Sequence, residues 1–411
     1  MKFRDYQVDI IGRGSVILKE YGLLYLSMEV RTGKTLTSLG VCDAIGAERV
    51  LFLTKKKAIS SIEHDYKMLN PSFELQVINY ESSHKINLGF SPDVVIADES
   101  HSLGAFPKPS SRAKRLKADL KTWKSKLILM SGTPTPESFS QMYHQVYGSL
   151  GNPFSQYKNF YAWANDYVKK KQLHYGFRVA TDYSGAHKNK VIEAMKPYTI
   201  AFTQKEAGFK SVIDEEILQV DMEDRTYDLC NRLQRDKVLQ GSDEVVLADT
   251  GVKLMQKLHQ LSSGTVIFES KKSVVLDYSK AKFIKKRFKY EKIGIFYKFT
   301  AELKALKEVY GDDITTDLDD FNSSRKSIAL QIVSGREGIS LRKAKYLVYY
   351  NIDFSATSYW QSRDRMTTKD RLYNKIYWVF SKNGIENKIY KAVNNKKDYT
   401  LRHFKKDYGT V

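Results

Sequence analysis

The stretch Met28–Thr35, MEVRTGKT, decides how the rest of the chain is read. It closes on Gly33-Lys34-Thr35, the end of the phosphate-binding pattern G-x-x-x-x-G-K-[ST], yet Met28 stands where that pattern has its first glycine. Such a loop follows a strand and opens a helix, so that backbone N–H groups and the helix N-terminus meet phosphate oxygens. The flanks fit: LLYLS (23–27) reads as a strand, and TLTSLGVCDAIG reads as a helix closing on glycine. In this reading Thr32 and Gly33 line the nucleotide, Lys34 meets the β- and γ-phosphates, and the Thr35 hydroxyl ligates Mg2+. A G-K-T after a strand is weak evidence alone, so its neighbours must decide.

Downstream, PDVVIADESH (92–101) is an apolar strand that delivers two adjacent carboxylates, Asp98 and Glu99, at its C-terminal end. Open α/β sheets bind ligands at that end. Phosphoryl transfer to water needs one carboxylate for the metal and a second group for the water; Asp98 suits the first role and Glu99 the second. A third strand runs into Ser-Gly-Thr-Pro in LILMSGTPTPES (127–138), a tight polar turn.

In this order the P-loop, D-E-S-H and S-G-T-P resemble the first lobe of a helicase superfamily 2 ATPase. The stretch LQIVSGREGISLRKAKYLVYYNIDFSATSYWQSRDRM (330–366) resembles the closing motifs of the Swi/Snf-like branch, particularly its small viral and phage members. Gly338, Ile339, Ser340 and Leu341 match that branch's glycine-rich turn, and Gln361 and Arg365 match the start of its last motif. KNGIENKIYKAVNNKK (382–397) resembles the segment after the last strand. At the other end, FRDYQ (3–7) is similar to the adenine-reading motif, with Gln7 on the base edge and Arg4 on its face.

The resemblance implies two RecA-like lobes, each a mostly parallel sheet flanked by helices, with ATP in the cleft between them. It also removes the difficulty at Met28, because loops of this superfamily often lack the first glycine. Arg365 is then the arginine that reaches the γ-phosphate from the second lobe, and His101, Ser131, Thr133 and Gln361 relay between nucleotide and strand. The chain departs from the pattern in two places. The second arginine of the last motif falls at Thr368, which leaves Arg363 or Arg371 to supply a further cation. The Asp of the family's D-x-x-W-N-P stretch is Asn351, with Phe354 in the tryptophan's place.

Composition agrees with a soluble α/β protein. In 411 residues there are 42% hydrophobic and 28% charged residues. Two cysteines, Cys42 and Cys230, make neither a disulfide framework nor a metal-binding spacing. The N-terminus lacks the apolar core of a signal peptide, and no run approaches the ~18 apolar residues of a membrane span. An intracellular setting, in an infected bacterial host cell, and a monomer are expected.

Strands buried on both faces are expected near 49–54, 92–99, 125–134, 292–299, 327–335, 345–353 and 375–382, with helices near 35–46, 57–69, 137–147, 222–239 and 300–310. The first lobe is expected over 1–205 with a helical insertion at about 151–200, and the second over 206–411. The middle of the chain is read as largely helical.

The net charge of +20 points to a polyanion. The expected track is Thr54, Lys55, Lys56 and Lys57 after the second strand, then Arg112, Lys114, Arg115 and Lys117. Ser334, Arg336 and Arg342 flank the glycine-rich turn, and KAKFIKKRFKYEK (280–292) and KKDYTLRHFKK (396–406) are strongly basic. Contacts of this kind grip phosphates without reading bases. The resulting expectation is an ATP- and Mg2+-dependent translocase or helicase on duplex or branched DNA, acting in replication or recombination. RNA is an alternative track, and a non-catalytic nucleic-acid clamp is a reading from another class.

Overall fold

In the computed structural model, contacts divide the chain into two compact units, Met1–Gly208 and Phe209–Val411. The structure describes residues 2–86, 90–175, 178–210, 212–241, 243–335, 340–366 and 373–395.

The first unit is built on a six-stranded, wholly parallel sheet. Its strands are β1 (Leu23–Met28), β2 (Arg49–Thr54), β3 (Glu74–Asn79), β4 (Val94–Ala97), β5 (Lys126–Met130) and, after an antiparallel hairpin of β6 (Lys171–Tyr175) and β7 (Arg178–Asp182), β8 (Thr199–Phe202). They lie in the order β3-β2-β4-β5-β1-β8. Successive side chains of a strand point to opposite faces. Leu23, Tyr25, Leu51, Val95 and Leu127 therefore pack in one core, while Leu24, Leu26, Phe52, Ile96 and Ile128 pack in another on the far side. Helices cover both faces, so the central strands read as unbroken apolar runs.

The second unit repeats the plan. It comprises β9 (Val212–Val220), two hairpins of β10 (Val238–Gln240) with β11 (Val245–Leu247) and β12 (Thr265–Ile267) with β13 (Ser273–Val275), then β14 (Ile293–Tyr297), β15 (Ile314–Thr315), β16 (Ser327–Gln331), β17 (Tyr346–Tyr349) and β18 (Tyr373–Ser381). Its six-stranded parallel sheet runs β15-β16-β14-β17-β18-β9. The doubly wound α/β lobes expected from the sequence are the ones observed.

The middle of the chain departs from expectation. The segment at about 151–200 holds two short helices, Phe160–Tyr167 and Lys188–Met195, but also the β6–β7 hairpin, and a second hairpin, β10–β11, follows further along. The strand β9, VIDEEILQV, is the more instructive case. Three consecutive carboxylates hid it, yet it pairs along its whole length with β18 at the sheet edge. Lys375 answers Asp214 at 2.7 Å and Glu216 at 2.9 Å, and Arg363 answers Glu215 at 2.6 Å. An edge strand tolerates inward charge when each charge has a partner, and the charge discourages further pairing.

Buried polar groups fix the second unit. Lys280 and Glu386, both wholly buried, form an ion pair at 2.6 Å, and Lys280 Nζ also donates to the Tyr350 carbonyl at 3.2 Å. Asn351 is equally buried. Its Nδ2 donates to Glu302 Oε1 at 2.6 Å, while its Oδ1 accepts from the Ile352 N–H and lies 2.6 Å from His259 Nε2. Since that oxygen only accepts, His259 is the donor, and burial keeps its imidazole neutral, well below the ordinary histidine range. This explains the departure at Asn351: an aspartate would set a second carboxylate against Glu302. Asn351→Asp should destabilise the chain by about 2–4 kcal/mol at neutral pH, read from denaturant unfolding, because a like charge replaces a donor inside the core. Unchanged stability would refute this account of the position.

Candidate functional site

In a parallel sheet all strands end at the same edge. At the carboxyl edge of the first sheet, β1 leads into the Gly33 loop, β4 into Asp98-Glu99, and β5, which lies between them, into Ser131-Gly132-Thr133. The sheet order alone brings the three motifs together.

The loop opens the helix Lys34–Ala44. Gly33 sits at φ +82°, and a Cβ there would stand 2.6 Å from Gln7 Nε2. Glycine answers both the backbone region and the close approach. Lys34 Nζ donates to the carbonyls of Met28 at 2.9 Å and Glu29 at 3.1 Å. Thr32 is buried, with its hydroxyl on the Glu29 carbonyl at 2.7 Å, and Thr35 is half-buried. A Cβ on Gly132 would lie 3.7 Å from Lys34 Nζ, so the Ser-Gly-Thr-Pro turn rests against the Gly33 loop.

Gln7, read as a base contact, is buried beneath this loop. Its Oε1 accepts from the Arg4 N–H at 3.1 Å, and its Nε2 is 3.3 Å from both the Gly33 carbonyl and Thr37 Oγ1. Here the amide braces the loop against the start of the helix Asp5–Tyr21. Arg4 is exposed and donates to Tyr6 Oη at 2.7 Å; Tyr6 donates to the Thr32 carbonyl at 3.1 Å and stacks on Phe202 at 4.7 Å. Gln204 closes the loop's other side on the Val30 carbonyl at 3.0 Å. Tyr6 lies within FRDYQ but is given no role there by the sequence, and Gln204 sits in no motif.

The two carboxylates are split by their surroundings. Burial, then the charge of Glu99, pushes Asp98 up to about 6, against Lys34 and the hydrogen bond from Thr54. Burial would raise Glu99 too, but His101, Lys34 and Lys55 outweigh it and hold it at about 2. Glu99 has φ +48°, a left-handed backbone unusual away from glycine and typical of strained functional positions. His101 Nδ1 lies 3.2 Å from Glu99 Oε2 and 3.1 Å from Ser131 Oγ, which in turn accepts from the Thr133 N–H at 3.1 Å. Glu99, His101, Ser131 and Thr133 thus form one chain of contacts. The Thr133 hydroxyl is buried with no partner among the described residues.

Beneath these loops lies a network the sequence did not show. Tyr25 Oη donates to Gln145 Oε1 at 2.8 Å and lies 2.9 Å from Ser100 Oγ, while Gln145 Nε2 donates to the Pro134 carbonyl at 2.9 Å. Gln145 therefore joins β1, the D-E-S-H segment and the S-G-T-P turn.

Two expectations for the basic track need correction. Thr54 is 1% exposed and donates to Asp98 Oδ2 at 2.9 Å, so it belongs to the carboxylate's surroundings and not to a surface. In the run 280–292, Lys280 is buried in its ion pair, Lys285 donates to the Val309 carbonyl at 2.9 Å, and Lys292 donates to the carbonyls of Phe321 and Ser324. A basic stretch on an amphipathic helix turns part of its charge inward. Lys56, Lys57, Lys114 and Arg342 are exposed and Lys55 is half-buried. Arg112 pairs with Glu81 and covers the Tyr80 ring, Arg115 pairs with Asp119 at 3.1 Å, and Lys117 lies over the Tyr147 ring at 3.8 Å.

In the second unit, Arg363 is committed to Glu215 and lies 4.5 Å from the Trp360 ring centroid. Arg365, half-buried, follows in a short turn, and its carbonyl accepts from the Leu341 N–H at 2.9 Å. Arg336, Ile339 and Gly338, Thr368 and Arg371, the basic tail 396–406, and the side chains of Ser334 and Gln361 lie outside the described residues.

No protein-family model matches the chain, and no curated protein does. Among solved structures, the chain is similar to the Sulfolobus solfataricus SWI2/SNF2 ATPase core in complex with dsDNA. That match has 12% identity and a TM-score of 0.43, and it covers 96% of this chain and 91% of that one. The Sulfolobus solfataricus SWI2/SNF2 ATPase core domain aligns with the same identity, TM-score and share of this chain, and with 89% of its own.

The raised Asp98 yields a test that needs no ligand. The folded chain holds a proton that the unfolded chain releases between about pH 4 and 6. The associated stability is complete below about pH 4 and lost as pH rises through 6. Asp98→Asn, which keeps an acceptor for Thr54, should therefore stabilise the metal-free chain by about 1–3 kcal/mol at pH 7.5 and by little at pH 4. A difference independent of pH would contradict this reading of the carboxylate.

Proposed function

We propose that the chain is a nucleic-acid-dependent ATPase that hydrolyses ATP at the carboxyl edge of its first lobe and uses the second lobe to move along DNA. One observation carries the proposal. The lysine of a Gly-Lys-Thr loop lies in the field of two adjacent half-buried carboxylates whose surroundings push one up and the other down, on loops that a parallel sheet brings to one edge.

The roles follow from the surroundings. Lys34 rests on two backbone carbonyls, weaker acceptors than the oxygens of a triphosphate, and transfers to the β- and γ-phosphates when ATP enters. Thr32 and Gly33 border the phosphates. Glu99, held ionised, is too weak a base to keep a proton at neutral pH. It orients the attacking water, and the proton leaves with the phosphate product. Water adds to the γ-phosphorus, the bond to the β–γ bridging oxygen breaks, and ADP and phosphate result. Arg365 completes the charge stabilisation from the second lobe.

The residues also suit Mg2+. Among the described residues no three His, Cys, Asp or Glu gather to hold a metal. Mg2+, however, takes few protein ligands and leaves the rest to phosphate and water. A carboxylate that burial and a like charge raise to about 6 is one that a divalent cation would restore to its ionised form. Asp98 and the Thr35 hydroxyl would hold the ion, which would offset charge on the β- and γ-phosphates.

Lys55, Lys56, Lys57, Arg112, Lys114, Arg115 and Lys117 on the first lobe, with Ser334, Arg336 and Arg342 on the second, are proposed to grip the phosphate backbone. His101, Ser131, Thr133 and Gln361 would relay nucleotide state to that grip. Duplex DNA is the favoured track, with branched DNA and RNA as alternatives to be measured.

ATP turnover on duplex DNA, single-stranded DNA, a four-way junction and RNA tests the reading. Turnover should rise most with duplex or branched DNA. Lys34→Ala should abolish it, and Arg365→Ala should lower kcat by about 10³-fold or more. Turnover that ignores nucleic acid, or survives Lys34→Ala, would overturn the proposal. Stimulation by RNA alone would reassign the track.

A further inference from the structure

We infer that Glu215 is a positioning residue: it fixes the helix Ala356–Arg363, and with it the arginine just beyond, Arg365. This rests on the ATPase reading above. Glu215 stands on β9, near the start of the second unit and outside every motif that the sequence brought forward. Its carboxylate is the meeting point of four donors. Arg363 Nη2 lies 2.6 Å from Oε1. Tyr359 Oη lies 3.0 Å from Oε1 and 2.9 Å from Oε2, Trp378 Nε1 donates at 2.8 Å, and Tyr390 Oη at 3.2 Å.

These donors come from the helix Ala356–Arg363, from β18 and from the helix Glu386–Asn394. The first helix rests on stacked rings: Tyr359 lies 5.3 Å from Trp378, which lies 3.9 Å from Tyr349. Stacking sets the height of the helix on the sheet, and Tyr349 Oη donates to Ser362 Oγ at 2.6 Å while Trp360 Nε1 donates to the Val393 carbonyl at 3.2 Å. The carboxylate adds a tether at two further points, because Tyr359 and Arg363 lie one turn apart on the helix and both end on it. Arg363 is thereby held inward, and the chain leaves the helix in a fixed direction. At Arg365 its carbonyl is tied to the Leu341 N–H. Arg363 thus anchors the helix, two residues ahead of the Arg365 proposed above to meet the γ-phosphate.

Glu215→Gln keeps the size of the side chain and removes its charge. We expect the nucleic-acid-stimulated kcat to fall about 10–100-fold with the KM for ATP changed less than about twofold, since the phosphate loop lies in the other unit. Arg363→Lys, which keeps the charge and loses the fork, should act in the same direction and serves as the comparison if Glu215→Gln does not fold. In a Glu215→Gln/Arg365→Ala double variant, the first change should add less than about threefold to the second, because both act through one arginine. A fully additive loss would overturn the inference. So would a rise in kcat in Glu215→Gln, which would mean that Arg363 is a phosphate ligand held in reserve.

Amide hydrogen exchange separates this inference from the ATPase reading. Without nucleotide, exchange across 356–366 should quicken at least about tenfold in Glu215→Gln, while the first sheet stays protected. Unchanged exchange there sinks the positioning role even if the chain hydrolyses ATP. Quickened exchange in a chain with no ATPase activity retains the role and removes the function proposed for Arg365.

Discussion

The ammonium of Lys34 is the group on which the first lobe depends. It is seated on the Met28 and Glu29 carbonyls, and its charge acts against the burial that would raise both Asp98 and Glu99. No local stretch of sequence could arrange this. The lysine belongs to the loop after β1, the carboxylates to the end of β4, and the turn beside the lysine to the end of β5. Parallel pairing makes the three coincide, and the apolar runs enforce the pairing. The carboxylates then behave as a pair whose charges cannot both be comfortable. His101 settles which of them stays ionised, and the left-handed backbone at Glu99 is the local cost of presenting the two side by side.

The second lobe solves a different problem, the fixing of helices on a sheet by charges inside it. The Lys280–Glu386 pair, the Asn351 amide between His259 and Glu302, and the Glu215 carboxylate each join elements distant in sequence. Buried charges of this kind contribute little net stability compared with apolar packing. They do penalise every arrangement in which a partner is missing.

Much of this was legible in the sequence. Strands such as RVLFLT, VVIADE and KIGIFYKF are apolar runs of the length that buried parallel strands require, and they lie where expected. The Gly33 loop, the D-E-S-H and the S-G-T-P converge at one sheet edge as their order implied. What escaped has a common physical cause, because the deciding partner is remote in sequence. VIDEEILQV reads as a charged segment until Lys375 and Arg363 are placed beside it. The Lys280 of a basic run reads as surface until Glu386 is placed against it, and Thr54 reads as a contact residue until Asp98 turns toward it. Tyr25 and Gln145 carry no pattern of their own, and they become a unit with Ser100 only when a strand, a turn and a helix are brought together.

The claim at the centre of this account is that the Gly33 loop receives a triphosphate. A crystal structure of the chain with Mg2+ and a non-hydrolysable ATP analogue tests it most directly. Lys34 Nζ should leave the Met28 and Glu29 carbonyls for β- and γ-phosphate oxygens, with Asp98 and Thr35 turned toward the metal. A nucleotide bound elsewhere, or bound while Lys34 stays on those carbonyls, would contradict it.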